Sequence, residues 1–445
     1  MRAPDPPLVP SLLWTPALLW QSAGPRRLRV GADRAQAELD RLAADGALVV
    51  YDPGACSTSI HLGRTALPLP LDEGPEAPWR VAREVARRGA RTVAVVGGGA
   101  AMDTAKLAVA LAAGSEPRYA EGPPSGLALL TRAGRPAPAL IAFPTTLGTG
   151  SETSGVARMA VGGRRSRLVC SATLRPEGAV LDPCLTDTLP APLLAAGAME
   201  ILLRLIGPLL GPHPMGASSS AWLMETAVLV RRTADALLAS DSPTGWEVSA
   251  GPHGTPRVPD TLLAPPPSQR DAGRSAYERS AYERRSAYER RAGLRLRLAA
   301  ISAASHGVWP RVGASPFAFL LWYFADTAAA VTGTAKNTAL ARLFPAYLER
   351  ALGAPGRCAW ADGDRARQVA RRLFPEEAAT GNCPADFRAA AARLLRRWGV
   401  ALTTPLAADP VELGQAVVAS WPRALTGLTP QDAAALYEAA SGSTR

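Results

Sequence analysis

The sequence predicts an α/β dinucleotide-binding domain followed by an all-α domain, and three observations support this fold class. Short apolar strands alternate with helical segments from about residue 26 to residue 190, which is typical of a parallel, Rossmann-like sheet flanked by helices. Two of these strands run directly into glycine-rich turns. After Pro190 the chain consists of long stretches rich in Ala, Leu and Arg with proline stops, which indicates helices.

The first glycine turn has the local sequence of a phosphate-binding site. A buried strand is predicted at Val93 to Val96, three glycines follow at Gly97 to Gly99, and a helix is predicted at residues 100–113. Glycines let backbone N–H groups approach a phosphate closely, and the start of a helix adds partial positive charge. An ordinary tight turn between a strand and a helix has the same sequence, so this stretch alone leaves both interpretations open.

Further stretches give the chain a family resemblance. GGGAAMDTAK at residues 97–106 and PTTLGTGSE at residues 144–152 resemble the two signatures of the iron-containing alcohol dehydrogenase family, which is related to the dehydroquinate synthases. DPCLTDTLP at residues 182–190 resembles the DPxLTxxLP segment of the same family. The resemblance is specific from about residue 25 to residue 210 and fainter to about residue 350. It implies an NAD(P)-dependent enzyme with a helical second domain.

The resemblance also implies which residues bind the nucleotide. Asp52 ends a predicted strand ahead of the glycine turn, where family members have an acidic residue that meets the adenosine ribose. A carboxylate there would repel the 2′-phosphate of NADP and therefore favours NAD. A plain turn before Pro53 is the alternative interpretation of Asp52. The other predicted contacts surround the pyrophosphate and the riboses: Gly97, Gly98, Gly99, the Ala100 N–H, Asp103, Thr145, Thr146, Thr149 and Leu181.

The residues that hold a divalent metal in the family are replaced in this chain. Family members use one aspartate and three histidines of the helical domain, and the first pair has the spacing Asp-x-x-x-His. Glu200 and Arg204 stand at these two positions. Alignment of the later helix puts Lys336 at the last histidine position and Trp322 at the earlier one, with Asp326 where another histidine is frequent.

The histidine content of the chain supports the same conclusion without an alignment. The whole chain has four histidines, and no His-x-x-x-His pair occurs. One carboxylate beside an arginine and a lysine would repel a cation. We therefore expect NAD as the cofactor, with NADP less favoured, and no metal.

A pocket with these charges predicts a metal-free reaction on a hydroxy acid. Arg204 offers a bidentate fork for a carboxylate, Lys336 beside another cation can take the hydroxyl proton, and Glu200 is the third predicted catalytic residue. A hydroxyl β to the carboxylate would give a β-keto acid, which readily loses carbon dioxide. The alternative for Arg204 is a helical salt bridge to Glu200. Tyr323 and His306 are reserve acid–base candidates.

Two functions from different classes follow from these features. The first is an NAD(P)-dependent oxidoreductase that oxidises a hydroxylated carboxylic acid or a peptide carboxyl terminus in a bacterial biosynthetic pathway. Dehydrogenases that act on the carboxyl-terminal threonine of daptide-type ribosomal peptides are similar to this chain. The second is a catalytically lapsed subunit that serves as a binding partner in a biosynthetic complex. The intact glycine and threonine motifs favour the enzyme, and the replaced metal ligands favour the subunit.

Composition excludes several other classes. The net charge is +11 in 445 residues, but arginine is scattered and no nucleic-acid-binding motif occurs, so we expect no nucleic-acid partner. Five widely spaced cysteines without a CxxC pair are typical of a reduced, cytoplasmic protein. The apolar run Leu12 to Trp20 is broken by Pro16, so neither a signal peptide nor a membrane span is expected. A homodimer is an open possibility.

Two segments are predicted to lie outside the two cores. Residues 1–25 are expected to form an irregular arm before the dinucleotide-binding domain at 26–190. The helical domain at 191–445 has an insertion at about 241–293, which is rich in Pro, Gly and Ser and then repeats Ser-Ala-Tyr-Glu-Arg from Ser275, Ser280 and Ser286. A repeat without an apolar stripe cannot form a core, so the insertion is expected to be a solvated helix or disordered.

Overall fold

The computed structural model describes residues 25–54, 60–119, 122, 125–162, 165–239, 276–307, 315, 317–381, 383–402 and 404–442. Residues 1–24 of the predicted arm and residues 241–275 of the predicted insertion lie outside the described residues.

Among the described residues, ten strands form two sheets in the first half of the chain: β1 Arg27–Val30, β2 Leu48–Tyr51, β3 Leu67–Pro68, β4 Thr92–Gly97, β5 Pro117–Tyr119, β6 Leu127–Leu130, β7 Ala139–Pro144, β8 Val156–Ala160, β9 Ser166–Cys170 and β10 Gly178–Leu181. The larger sheet has the order β1-β10-β7-β4-β2-β3, and each neighbouring pair in it is parallel. This confirms the predicted parallel, Rossmann-like sheet.

The helices follow the predicted change of pattern. Three lie among the strands, and the remainder form the second half of the chain: α1 Ala35–Ala44, α2 Ala77–Arg87, α3 Gly99–Ala112, α4 Ala191–Leu210, α5 Ala217–Ala239, α6 Ala276–Ser305, α7 Leu320–Thr332, α8 Lys336–Leu352, α9 Gly363–Leu373, α10 Pro375–Thr380, α11 Pro384–Arg397, α12 Pro410–Ser420 and α13 Pro430–Ser441. The predicted helical second domain is confirmed.

A second sheet was not predicted from the alternation of strands and helices. Its four strands have the order β5-β6-β9-β8, and parallel and antiparallel pairs are mixed. Ala157, Met159 and Val169 bury one face of this sheet against Leu107 on α3. The other face is therefore available to the helical domain, and Arg158 on β8 lies on it with an exposed side chain.

The register of the larger sheet brings the two predicted loops together. β4 and β7 are adjacent parallel strands, paired from Thr92 with Ala139 to Gly97 with Pro144. Because both strands end at the same edge, the turn after Gly97 and the loop after Pro144 start side by side, where open α/β sheets bind ligands. The Thr145 N–H donates to Gly97 O at 3.0 Å.

Helix α4 connects the loop after β7 to the helical domain. It has the length and apolar composition of a membrane span, but 89% of that stretch is buried inside the protein, as expected of a core helix. A first side-chain carbon at Gly148 would lie 2.4 Å from Gly197 O on this helix. The φ of Gly148 is also +92°, so that only glycine allows the loop to rest on α4.

Helix α6 contains the last copy of the repeat, residues 286–290. The Tyr288 hydroxyl and an Arg295 guanidinium N–H both donate to the Asp187 carboxylate. Burial raises the pKa of Asp187, and the two donors oppose that rise. This end of the predicted insertion is thus helical and contacts the 182–190 segment of the α/β domain.

Candidate functional site

A glycine cradle, formed by Gly97 to Gly99 and the loop Thr145 to Gly150, lies at the edge where β4 and β7 end. A first side-chain carbon at Gly98 would lie 3.1 Å from Thr146 Cγ2, and one at Gly99 would lie 2.9 Å from Thr149 Cγ2. The two loops therefore approach each other as closely as bare backbone permits. Gly98 also precedes the first turn of α3, where free N–H groups favour an anion.

Gly97 has a different role from its two neighbours. A first side-chain carbon there would lie 2.5 Å from Ala101 Cβ and 2.9 Å from Asp52 Cβ. Gly97 thus allows β4 to pack closely on the start of α3 and on the end of β2. Asp52 stands beside the cradle as predicted, and its Oδ1 accepts a hydrogen bond of 2.9 Å from the Gly54 N–H. The turn interpretation of Asp52 is therefore present in the structure, and among the described residues none donates a hydrogen bond to Oδ2.

Two threonine hydroxyls of the cradle suit a bound nucleotide. Thr145 Oγ1 and Thr146 Oγ1 are buried and have no hydrogen-bond partner among the described residues. Buried polar groups are normally satisfied, so two such groups beside a glycine turn and a helix start fit the phosphates or ribose of a dinucleotide.

The side chains of two other predicted cofactor contacts, Asp103 and Leu181, interact with the protein itself. Asp103 accepts hydrogen bonds from Ser151 Oγ at 2.5 Å and from the Arg158 N–H at 2.8 Å. Its carboxylate therefore fixes the loop after β7 to the second sheet. Leu181 is buried at the end of β10, so only its backbone could face a ligand.

Lys106, a functional residue that sequence analysis left without a role, stabilises the cradle from behind. Its side chain is fully buried on α3, and Nζ donates to Ser151 Oγ at 2.7 Å, Ser154 Oγ at 3.1 Å and Val156 O at 2.9 Å. Burial lowers the pKa of Lys106 to about 8. The signal that could have identified Lys106 is its place in GGGAAMDTAK, directly before the apolar run LAVALA at residues 107–112.

The three predicted catalytic residues come together as a charged cluster, which we define as Glu200, Arg204 and Lys336. Glu200 and Arg204 are one turn apart on α4, and Lys336 is the first residue of α8. Glu200 Oε1 lies 3.6 Å from an Arg204 guanidinium nitrogen and 3.9 Å from Lys336 Nζ. Lys336 keeps 27% of its side chain exposed, whereas Glu200 and Arg204 keep 5% each.

Arg204 is committed to contacts within the protein. Its guanidinium donates to Gly148 O of the cradle, to Ser302 Oγ at 3.3 Å and to Ser305 Oγ at 3.4 Å. Burial lowers the pKa of Arg204, and the charge of Glu200 acts against that effect. Arg204 thus connects the cradle to α4 and α6, and the salt bridge to Glu200, which is the alternative interpretation of Arg204, is present.

Of the two reserve acid–base candidates, His306 lies near the charged cluster and Tyr323 is packed in the core. A first side-chain carbon at Gly150 would lie 2.0 Å from His306 Cδ2 and 3.2 Å from an Arg204 nitrogen, so the imidazole lies directly on the cradle loop. Tyr323 is buried against Trp421, with ring centroids 4.6 Å apart.

A second pair of charged residues, which sequence analysis did not connect, lies between the second sheet and α7. Arg158 Nε is 4.0 Å from Asp326 Oδ1. Burial raises the pKa of Asp326, and the charges of Arg158 and Lys336 act against that rise. Asp326 Oδ2 is buried and has no hydrogen-bond partner in the described part of the chain.

The donor set of the charged cluster does not suit a divalent metal. Arg and Lys side chains are hydrogen-bond donors without a free acceptor, so Glu200 is the one metal-ligand type in the cluster. Among the residues that the structure describes, no group of three or more His, Cys, Asp and Glu side chains could hold an ion.

Comparison with known proteins identifies the family to which part of the chain is similar. The iron-containing alcohol dehydrogenase family model matches residues 73–183. The 4-hydroxybutyrate dehydrogenase of Cupriavidus necator is 37% identical over 151 residues, which is 32% of this chain and 38% of that protein. The phosphonoacetaldehyde reductase of Streptomyces viridochromogenes is 36% identical over 145 residues, 30% of this chain and 35% of that protein. The matched region thus spans well under half of these relatives.

Solved structures share the fold over nearly the whole chain. The NADH-dependent butanol dehydrogenase A of Thermotoga maritima superposes with a TM-score of 0.65 at 14% identity, covering 94% of this chain and 97% of that one. The sulfoacetaldehyde reductase of Bifidobacterium kashiwanohense, solved with NAD+, gives a TM-score of 0.62 at 16% identity and covers 95% and 98%. This chain therefore shares the fold of these two structures in both its α/β part and its helical part.

Proposed function

We propose that the protein is an NAD-dependent oxidoreductase of the alcohol dehydrogenase type that works without a metal. Its substrate is a hydroxylated carboxylic acid or a peptide carboxyl terminus, in a bacterial biosynthetic pathway in the cytoplasm. The observation that carries this proposal is the connection between the cradle and the charged cluster. Lys336 pairs with Glu200, Glu200 pairs with Arg204, and Arg204 donates to Gly148 of the cradle.

The cradle residues would hold NAD, which accepts a hydride from the substrate carbon when it is bound. The backbone N–H groups of Gly98, Gly99 and Ala100 would bind the pyrophosphate, and the nucleotide would supply hydrogen-bond partners for the hydroxyls of Thr145 and Thr146. Asp52 favours NAD over NADP, because a second negative charge on the ribose would be repelled.

Lys336 is the residue that takes the hydroxyl proton. Its neutral amine accepts that proton, and because the side chain is partly exposed the resulting ammonium can pass the proton to water. The Glu200 carboxylate restrains the side chain. A general base positioned in this way contributes about 10²–10⁴-fold to a rate. Where the hydroxyl is β to the carboxylate, the keto acid that forms loses carbon dioxide.

Two further observations support an anionic substrate and the absence of a metal. The names of both curated relatives denote compounds with an acidic group, a carboxylate or a phosphonate, besides the oxygen that reacts. In this chain Arg204 and Lys336 provide positive charge near Glu200, which is the kind of charge that a metal would otherwise supply.

Turnover by chelator-treated protein tests the proposal. We expect hydroxy acids such as 4-hydroxybutyrate, 3-hydroxybutyrate and N-acetyl-L-threonine to reduce NAD in the wild type, and added zinc or iron to leave the rate unchanged. The Lys336→Gln variant should bind NAD normally and lose the activity. Activity that appears only after a metal is added would contradict the metal-free reaction.

The second candidate is a catalytically lapsed subunit of a biosynthetic complex, possible also as a homodimer. The internal contacts of Arg204 favour it, since a buried arginine with four protein partners is also what a purely structural cluster contains. This candidate predicts no turnover of any hydroxy acid, whether or not a nucleotide binds.

A further inference from the structure

We propose that Arg158 and Asp326 recognise a peptide-like hydroxy acid, whose carboxylate binds the Arg158 guanidinium and whose amide N–H donates to Asp326 Oδ2. The inference rests on the proposed function and names the residues that select its substrate class.

Arg204 is poorly placed to bind the substrate carboxylate. Its guanidinium already contacts Gly148 O, Ser302, Ser305 and Glu200, and its side chain is 5% exposed. A substrate carboxylate would have to replace these contacts and would release the cradle loop from α4. Arg204 is therefore a positioning residue, and the carboxylate needs another cation.

Hydrogen bonds hold the backbone and Nε of Arg158, whereas its terminal amino groups are available to a ligand. Its backbone N–H donates to Asp103 Oδ2 at 2.8 Å, and its Nε donates to Ser166 Oγ at 3.2 Å. The side chain is 39% exposed, and its two terminal amino groups have no hydrogen bond with any described residue. A restrained guanidinium that presents its fork to solvent is suited to bidentate binding of a carboxylate.

Asp326 provides an acceptor next to that fork. Its Oδ1 is 4.0 Å from Arg158 Nε, and its Oδ2 is buried without a partner in the described region. An unsatisfied buried oxygen costs free energy that a ligand N–H would recover. Because the reacting hydroxyl must reach Lys336, the donor to Asp326 is a different group of the substrate, and a peptide amide supplies one.

The charges around this pair favour an anion. The positive charges of Arg158, Lys336 and Arg167 all lower the pKa of Asp326. Lys336 also forms an ion pair with a second carboxylate, that of Glu200. Positive groups from more than one element thus surround Asp326, and local positive charge attracts acidic ligands.

Binding of a matched pair of probes tests the inference. The probes are N-acetyl-L-threonine and its carboxamide, which differ only in the carboxylate, and they are titrated calorimetrically with and without saturating NAD. The wild type should bind the acid about 10–100-fold more tightly, as expected of one charge-assisted, bidentate contact. Arg158→Gln should abolish this preference, and Arg158→Lys should keep part of it.

Two controls make the result specific. Arg132→Gln removes an exposed arginine of the same domain and should keep the full preference for the acid. Asp326→Asn should reduce the preference for N-acetyl-L-threonine over 3-hydroxybutyrate, which lacks the amide N–H. A wild type without preference for the acid, or an Arg158→Gln variant that keeps it, would overturn the inference. Absence of NAD binding would count against the proposed function alone, since the probe preference is also measured without NAD.

Discussion

The cradle and the charged cluster are in direct contact, yet they are built in opposite ways. The cradle consists of two contiguous stretches, residues 97–99 and 145–150, which adjacent parallel strands deliver to one edge of a sheet. The cluster combines Glu200 and Arg204 of α4 with Lys336 of α8, and Arg204 adds contacts to α6. A cradle made of backbone is specified locally, whereas a cluster of side chains depends on the packing of three helices.

Replacement of Gly98 by valine should give the largest effect and separates the two regions. The added methyl groups would collide with Thr146 and push apart the two loops that form the cradle. Loss of two charge-assisted N–H contacts, at roughly 1.5–3 kcal/mol each, should weaken NAD binding by about 100-fold or more. Calorimetric titration with NAD measures this, and Gly134→Val, at an exposed glycine without close neighbours, is the control. Undiminished NAD binding by Gly98→Val would remove the cradle assignment.

Replacement of Glu200 by alanine tests whether the cluster behaves as a buried ion pair. Arg204 would remain buried without its carboxylate, which costs about 3–5 kcal/mol of the free energy of unfolding. Urea denaturation measures the loss. The exposed Arg80–Glu73 pair offers a matched control, because Glu73→Ala should cost less than about 1 kcal/mol. Equal losses in the two variants would mean that Glu200 does not compensate the charge of Arg204.

Replacement of Lys106 by methionine tests the support behind the cradle. The folded protein releases the Lys106 proton near pH 8, whereas the unfolded chain keeps it to about 10.5. The unfolded state therefore binds more protons between these values, and the free energy of unfolding should rise with pH across this window by about 3 kcal/mol. The variant should lack this contribution, so its stability measured from pH 7 to 10.5 should vary less than that of the wild type. Identical pH profiles would contradict the lowered pKa of Lys106.

Replacement of Lys336 by glutamine should leave the cradle intact and impair only the chemistry. We expect kcat to fall by about 100-fold while the Kd for NAD stays unchanged. Lys336→Arg retains the charge near Glu200 but accepts a proton poorly, so its kcat should stay low as well. Recovery of kcat in the arginine variant would indicate that Lys336 acts through charge alone.

The sequence predicts the parallel sheet, the helical domain and the cradle because their signals are local. A run of valines followed by Gly97 to Gly99 specifies a strand and a turn without reference to distant residues. Glu200 and Lys336 are 136 positions apart, and only the family resemblance aligned them with one site.

Other parts of the site cannot be recognised from the local sequence. Arg158 and Asp326 belong to a short strand and an alanine-rich helix, and their approach depends on how the second sheet packs on α7. Ser302 and Ser305 follow a repetitive segment whose composition suggests no core, yet the same helix carries both hydroxyls to Arg204. The charge of Arg204 alone predicts that it binds a substrate carboxylate, whereas its burial and internal contacts make it a positioning residue.

Titration of chelator-treated protein with NAD and with NADP tests the central claim most directly, with and without added zinc or iron. A metal-free dehydrogenase should bind NAD with the same affinity in all these conditions, and NADP about tenfold or more weakly because of Asp52. Binding of NAD that requires the metal would contradict the metal-free reaction. No binding of either nucleotide would contradict the dehydrogenase and favour the lapsed subunit.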